Sequence, residues 1–343
     1  MSTFALAGLV ALVSFAVVPW VVLARRIGGA ASPRLLATAH LVVLLGWGVL
    51  PAAFFWCLGQ GLAGISSVAS GSLCHGCLGL PGSGWRLAGY GLAAAALAPL
   101  AWQSWRVATS VRRAELVGLV EYRADQRRQA SGGTVWVVPS EDPAAYALGV
   151  LRPRAVVTTG LLSILDPLEG QAVCEHEVAH VRFGHPRLLL VGAIVARSYG
   201  FLSPVRRSWD ALGRELEAAA DDEAVRIVGT GPLLSALARV GLAQLDAAAS
   251  FGDPAHIRYR IRRLEGPRHA SLRANATVTA LAGMLTAVLA WSLCSFLARS
   301  PEPAGMVGCA LLAGAVGLRP VWAWRDPVVQ PRSVGPPGGP SSR

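Results

Sequence analysis

The chain has 343 residues, of which 53% are hydrophobic and only 15% are charged, and its mean hydropathy is +0.47. Soluble domains carry about 25% charged residues, so this composition is not the one expected of an ordinary soluble globule. All 31 basic residues are arginine, and against 20 acidic residues they give a net charge of +11. A strongly basic chain is typical of proteins that bind nucleic acid or membranes.

The charges are unevenly distributed along the chain. Residues 1–104 contain no acidic residue and four arginines, whereas 18 of the 20 acidic residues lie between Glu115 and Glu265. This division predicts an apolar membrane part and a separate polar domain. Because arginines beside membrane spans interact with anionic lipid headgroups, contact with the lipid bilayer explains the positive charge, and we expect no direct binding of nucleic acid.

Several uncharged segments are long enough to cross a bilayer, which takes about 20 apolar residues in a helix. Three precede the polar domain, and one follows it together with a shorter run that we predict to be a further helix. The predicted spans cover residues 3–24, 35–58, 87–105, 276–298 and 304–324. The tail over 325–343 is rich in proline, glycine and serine, and we expect it to be disordered.

The arginines between these segments predict the orientation, because cytoplasmic loops carry an excess of basic residues. Arg25, Arg26 and Arg34 follow the first span, and six arginines lie between residues 258 and 273. Both stretches are therefore predicted to be cytoplasmic. The chain is expected to be a multi-pass protein of the cell membrane, with its N-terminus outside and both the polar domain, residues 106–273, and its C-terminus in the cytoplasm.

The polar domain contains an HExxH pattern over residues 176–180. On a helix, His176 and His180 share a face, so both imidazoles can reach one metal ion. Glu177 lies about 100° around the helix, where its carboxylate can act as a general base on a water molecule. Helix signals bound the motif: Asp166-Pro167 with a capping-box glutamate at the start, and Gly184 at the end.

A third protein ligand is expected, because catalytic zinc sites usually have three. A second predicted helix, between Ser203 and Gly229, carries Glu217 and Asp221 four residues apart, with three alanines between them. We interpret Glu217 as the third ligand and Asp221 as a carboxylate that orients a histidine. The alternative interpretation, an exposed acidic run, fits the neighbouring acids better; these are Glu215, Asp222 and Glu223.

The HEVAH motif followed by Glu217-x-x-x-Asp221 resembles the integral-membrane zinc metallopeptidases of the BlaR/MecR antirepressor type and, more distantly, the HtpX-type and CAAX-processing membrane proteases. The resemblance covers roughly residues 105–270. It implies an α-helical membrane protein with an α+β cytoplasmic zincin-like metallopeptidase domain, built from the HExxH helix and a small antiparallel sheet. It implies one Zn²⁺ per chain, with His176, His180 and Glu217 as ligands, Glu177 as the catalytic base and Asp221 as the supporting acid.

The resemblance also implies a partner and a role. The expected function is hydrolysis of peptide bonds in a cytoplasmic protein substrate, such as a BlaI-like transcriptional repressor in signal transduction. The alternatives are an HtpX-like protease of membrane-protein quality control and a non-catalytic membrane sensor or scaffold. Because the chain has no lysine, it lacks the Ser-x-x-Lys motif of the penicillin-binding sensor. The oligomeric state is not predicted.

In such proteases the substrate pairs as a strand with the sheet edge nearest the metal. The candidate edge strand here covers Ala145, Tyr146, Ala147, Leu148 and Gly149.

Four other features carry weaker signals. Cys174 is expected to be a core residue, and His185 a supporting or surface residue instead of a ligand. The apolar segment 188–202 is interpreted as a buried or membrane-apposed helix, since a crossing would separate Glu217 from His176. Cys74 and Cys77 form an isolated C-x-x-C pair to which we assign no function.

Overall fold

We describe a computed structural model of the protein over residues 31–69, 82–121, 126–131, 133–246, 254–266 and 271–299. Three sequence predictions lie outside these ranges: the span 3–24, the helix 304–324 and the tail 325–343. Cys74 and Cys77 also lie outside them.

Two long helices form the first part of the structure. Helix α1 covers Pro33–Ala69 and contains the predicted span 35–58; helix α2 covers Gly82–Glu121 and contains the predicted span 87–105. The two helices approach each other closely at Gly59, where an added Cβ would lie 2.7 Å from the Cα of Gly89. Because α2 continues without a break to Glu121, the predicted domain start at residue 106 falls inside a helix.

Within the described residues, one helical segment is long and apolar enough to cross a membrane, over Pro33–Ala63. Length and composition define this candidate, and a buried helix of a soluble protein passes the same test. The structure therefore gives weak support to a membrane-bound chain. The remaining spans and the orientation stay predictions.

A four-stranded sheet follows, in the order β1-β2-β4-β3. The outer pairs β1/β2 and β3/β4 are antiparallel, but the central pair β2/β4 is parallel. The predicted antiparallel sheet is therefore wrong at its centre. The chain runs from β2 to the outer strand β3 and turns back at Gly149, whose φ is +85°, so that β4 inserts beside β2. The strands are β1 Gln126–Ala130, β2 Gly133–Val138, β3 Ala145–Leu148 and β4 Arg154–Thr158.

Four helices follow the sheet, and the last three of them carry most of the candidate site residues. They are α3 Thr159–Ser163, α4 Pro167–Arg182, α5 His185–Tyr199 and α6 Ser203–Val228. Helix α4 begins with a capping box between Asp166 and Glu169, and α6 is followed by Gly229. Both ends agree with the helix signals in the sequence. The segment 188–202 falls largely in α5, which packs against α1 and α6 through Val195 and Tyr199.

Helix α4 is packed on two sides. Toward the sheet, Cys174 and Val178 contact Val135 and Val157, so Cys174 is the core residue that the sequence predicts. On another face, Ala172 joins a cluster with residues of the later helices, namely Ala224, Leu233 and Leu264. The HExxH residues are consequently held in the protein interior.

Three more helices complete the described structure: α7 Thr230–Asp246, α8 Pro254–Glu265 and α9 Leu272–Arg299. Helix α8 lies against α6 through a set of polar contacts. Helix α9 contains the predicted span 276–298 and packs on α1, where Val278 joins a cluster with Leu36 and Val43.

Candidate metal centre

Two histidines and one carboxylate converge where α4 faces α6. The Nε2 atoms of His176 and His180 lie 3.0 Å apart. Glu217 places Oε2 3.3 Å from His176 Nε2 and Oε1 3.4 Å from His180 Nε2. These residues form a group that could hold a metal ion, with one ligand atom from each and all three atoms within 4.8 Å of one another.

The spacing of these atoms suits one small metal ion. Bonds of about 2.0–2.1 Å in a tetrahedral arrangement place neighbouring ligand atoms about 3.3–3.4 Å apart. The two Nε2 atoms lie 3.0 Å apart, and Glu217 approaches each of them with a different carboxylate oxygen, at 3.3 and 3.4 Å, so the separations are of this size. Two imidazoles and one carboxylate are also a ligand set that zinc takes in catalytic sites. The residues present therefore fit a zinc ion.

Both histidines are supported on the ring edge opposite Nε2. Asp221 Oδ1 lies 3.0 Å from His176 Nδ1, and His185 Nδ1 lies 2.9 Å from His180 Nδ1. Asp221 and His185 are 1% and 2% exposed, so water does not compete for these contacts. Such partners fix the tautomer and the ring orientation of a metal-binding histidine.

Arg260 of α8 completes the site and was not assigned to it from the sequence. Its Nε and Nη2 donate to Asp221 Oδ2 and Oδ1 at 2.9 and 2.5 Å. Its Nη1 lies 3.2 Å from Glu217 Oε2. In the sequence, Arg260 is one of the six arginines between residues 258 and 273 that predict the orientation of the chain in the membrane. Its spacing does not distinguish it from the others. Only the packing of α8 on α6 shows its role.

Glu177 has an unusual environment for a carboxylate. Its residue is 8% exposed, and this burial raises its pKa to about 7, while the nearby Glu217 charge acts in the same direction. A general base works best when its pKa lies near the operating pH. The side chain that the motif assigns as the base therefore has a suitable proton affinity.

The pKa values of the other ionisable groups of the site are shifted in different directions. Burial lowers the pKa of His180 to about 3 and that of His185 to about 4, so both rings are neutral at pH 7. Burial and Arg260 oppose protonation of His176, but its hydrogen bonds to Asp221 and Glu217 outweigh them and raise its pKa to about 9. Burial disfavours ionised Glu217, yet the hydrogen bond from His176 and the charge of Arg260 hold the pKa of its carboxyl well below the usual range.

Local sequence explains how these residues meet. Ala218, Ala219 and Ala220 are at most 1% exposed, and their small side chains let α6 approach its neighbours. Before His176, the buried carboxylate of Glu175 accepts hydrogen bonds from Ser131, with N to Oε1 at 2.8 Å. That contact fixes α4 to the β1/β2 turn.

The interpretation of the neighbouring acids as an exposed run is wrong for Glu215 and Glu223. Glu215 and Glu223 are each 7% exposed, and burial raises the pKa of Glu215 to about 7. Asp222 accepts two hydrogen bonds from Arg263 at 2.8 and 2.7 Å. The physical reason is that arginines of other helices cover this side of α6, which helix periodicity alone does not reveal.

The candidate edge strand is strand β3 over Ala145–Leu148, and Gly149 forms the turn after it. In the described sheet β3 pairs only with β4 and therefore lies at an edge. It also packs against α4, the helix that carries the motif. The structure thus places an edge strand beside the helix that carries the HExxH motif.

Comparison with known proteins agrees with this site. A family model described as "Peptidase family M48" matches residues 110–208, a range that contains the HExxH motif and ends before Glu217. The chain is similar to proteins named "Protease HtpX homolog". That of Desulfatibacillum aliphaticivorans is 30% identical over 162 residues, which are 43% of this chain and 51% of the relative.

Two further relatives carry the same name. The protein of Acaryochloris marina is 28% identical over 207 residues, covering 54% of this chain and 70% of the relative. That of Thermococcus kodakarensis is 35% identical over 103 residues, covering 29% and 34%. The chain spans about half the length of the Desulfatibacillum relative and about a third of the length of the Thermococcus relative. No solved structure matches.

Proposed function

We propose that the protein is a membrane-bound, zinc-dependent endopeptidase that hydrolyses peptide bonds of a protein substrate. The observation that carries the proposal is the convergence of His176, His180 and Glu217, with 3.0–3.4 Å between the atoms that face one another. The similarity to peptidase family M48 and to HtpX homologues supports a protease.

The roles of the residues follow from their positions. His176, His180 and Glu217 would hold the zinc ion, which when bound supplies Lewis-acid activation of water and of the scissile carbonyl. Glu177 takes the proton of the attacking water and passes it to the leaving amine, a role that the burial of its carboxyl favours by raising its pKa. Asp221 accepts the Nδ1 proton of His176 and keeps Nε2 available.

Strand β3 is our proposed substrate-binding edge. Thr158 N donates to the carbonyl of Ala144 at 2.9 Å, so this pair belongs to the hydrogen-bonded type of an antiparallel ladder. Alternation along β3 then directs the backbone groups of Tyr146 and Leu148 toward β4, and those of Ala145 and Ala147 away from it. A substrate strand can pair with these outward-facing groups.

We further propose that the substrate is a cytoplasmic transcriptional repressor and that cleavage transmits a signal across the cell membrane. The support is the HExxH and Glu-x-x-x-Asp spacing shared with the BlaR/MecR type. The similarity to HtpX homologues favours a second candidate, broad cleavage of membrane proteins in quality control. The two differ in substrate and share the same site.

The decisive experiment compares the wild type with Glu177→Gln, which keeps the size of the side chain and removes its basicity. The variant should retain zinc and lose cleavage of a protein substrate. Glu265→Gln, which changes an exposed glutamate at the end of α8, is the control and should cleave as the wild type does. Normal cleavage by Glu177→Gln would overturn the proposed mechanism.

Proteins that accumulate in cells with the Glu177→Gln variant would then separate the two candidates. One accumulating regulator supports signalling, whereas many accumulating membrane proteins support quality control. A wild type that cleaves nothing while it binds zinc would favour a sensor or scaffold.

A further inference from the structure

A third histidine lies behind the metal-facing pair. The chain leaves α4 through Gly184, whose φ of +69° turns it sharply, and His185 is the first residue of α5. Its Nδ1 lies 2.9 Å from His180 Nδ1, and the two ring planes are nearly perpendicular, at 87°. At 2% exposure, His185 is more deeply buried than either metal-facing histidine.

This geometry excludes His185 as a ligand of the same ion. Nδ1 and Nε2 lie on opposite edges of an imidazole ring. His180 turns Nε2 toward His176 and Glu217, with distances of 3.0 and 3.4 Å, and turns Nδ1 toward His185. The third histidine is therefore separated from the metal position by the His180 ring.

The position of the protons follows from the contact. Two nitrogen atoms at 2.9 Å share one proton, so one Nδ1 donates and the other accepts. A histidine that binds a metal through Nε2 carries its proton on Nδ1. His180 must then be the donor and His185 Nδ1 the acceptor, which leaves the proton of His185 on its own Nε2.

We propose that His185 is a positioning residue that accepts the Nδ1 proton of His180, and so keeps His180 Nε2 unprotonated and directed at the metal position. This inference rests on the proposed function, because it assumes that His180 is a metal ligand. It goes beyond that function by giving a task to a residue outside the HExxH and Glu-x-x-x-Asp patterns.

The charge around the site explains why an imidazole suits this position. His176 is supported by Asp221, a carboxylate whose charge is offset by Arg260. Glu177 and Glu217 add two further carboxylates. A fourth carboxylate behind His180 would add another negative charge to this buried group, and burying like charges together is costly. A neutral acceptor orients the ring without this cost.

Substitutions at residue 185 separate positioning from packing. His185→Leu fills similar space but accepts no hydrogen bond, whereas the side-chain amide oxygen of His185→Gln can accept one. His40→Leu is the matched control, because His40 is also a buried histidine, 4% exposed, and lies on α1. The full chain is purified in detergent, and zinc affinity is measured by competition with a chelator.

We expect His185→Leu to bind zinc 10–100-fold more weakly, the effect typical of losing such a supporting partner. His185→Gln should recover most of the affinity, and His40→Leu should bind as the wild type does. Equal zinc affinity in the wild type and His185→Leu would overturn the inference while leaving the proposed metal site intact. Equal loss in His185→Leu and His185→Gln would also overturn it, since packing would then explain the effect.

A second measurement needs no variant to fold. In the zinc-loaded wild type, ¹⁵N spectra of the histidine rings should show His180 protonated at Nδ1 and His185 protonated at Nε2. A proton on Nδ1 of His185 would overturn the inference. A wild type that binds no zinc would instead overturn the proposed function, and the inference would fall with it.

Discussion

Arg260 donates two hydrogen bonds to Asp221, from Nε at 2.9 Å and from Nη2 at 2.5 Å. The same guanidinium lies 3.2 Å from Glu217 Oε2. One residue of α8 therefore contacts both carboxylates of α6 at the candidate metal site, the proposed ligand Glu217 and Asp221 behind His176. Helix α8 is by this contact a part of the site, although Arg260 follows Glu217 by more than forty residues in the chain.

The first prediction concerns this arginine. Arg260→Gln should weaken zinc binding by about 10–100-fold, because Asp221 loses the cation that orients it. Chelator competition measures the effect. Arg263→Gln is the matched control, since Arg263 makes the same kind of double contact with Asp222, which is not a member of the metal-binding group. Unchanged zinc affinity in Arg260→Gln would contradict the assignment.

The second prediction concerns Glu223 and pH. Arg226 donates to its carboxylate, as do Arg182 of α4 and Arg34 of α1, and the hydrogen bond from Arg226 is the first cause that lowers its pKa. Because the folded-state pKa is below the unfolded one, this carboxylate stabilises the protein above about pH 4.5 and loses its effect as pH falls through the folded-state pKa.

Glu223→Gln should therefore lower the unfolding free energy at pH 7.5, on the order of 1–2 kcal/mol. The difference from the wild type should shrink at pH 3.5, because below about pH 4.5 the unfolded chain binds a proton that the native carboxylate resists. Denaturant unfolding at pH 7.5 and at pH 3.5 measures this difference in unfolding free energy. Glu265→Gln, which changes an exposed glutamate, is the control. A difference that is the same at both pH values would refute the electrostatic explanation.

The third prediction isolates the turn after α4. Gly184 has a φ of +69°, and a Cβ added there would meet no atom within 4 Å. Gly184→Ala should therefore cost about 1 kcal/mol from backbone conformation alone. The control is Gly213→Ala in the interior of α6, where a Cβ would also meet no atom. It should stabilise the protein by about 0.5–1 kcal/mol, since alanine favours a helix. Changes of the same sign at both positions would show the explanation to be wrong.

The fourth prediction tests the proposed substrate edge. Ala147→Pro removes a backbone N–H that faces away from β4, so cleavage should fall by about tenfold, as expected for one lost hydrogen bond, while folding is little affected. Tyr146→Pro is the comparison, because it removes an N–H directed at β4 and should destabilise the sheet. Cleavage kinetics and thermal unfolding of both variants measure these two effects. Normal kcat/KM in Ala147→Pro would rule out pairing at this edge.

Local sequence signals located the helices that carry the site. The capping box at Asp166 and the glycines at 184 and 229 mark the helix ends, and the spacing of His176 and His180 places both on one face of α4. These features depend on residues close together in the chain. Helix ends and shared faces could therefore be predicted from the sequence.

Contacts between distant segments could not be predicted in this way. Strand β1 has the polar sequence QRRQA and shows no alternation of apolar residues. The parallel pairing of β2 with β4 depends on strand order, which periodicity does not contain. Arg260 resembles the other arginines of its segment, and only the packing of α8 on α6 distinguishes it.

The central claim is that His176, His180 and Glu217 form one zinc site. The most direct measurement is elemental analysis of the purified full chain and of its Glu217→Gln variant, after dialysis against a weak chelator. We predict about one zinc per wild-type chain and its loss from the variant, which keeps the size of the side chain. A wild type without zinc, or a variant that retains it equally, would contradict the account.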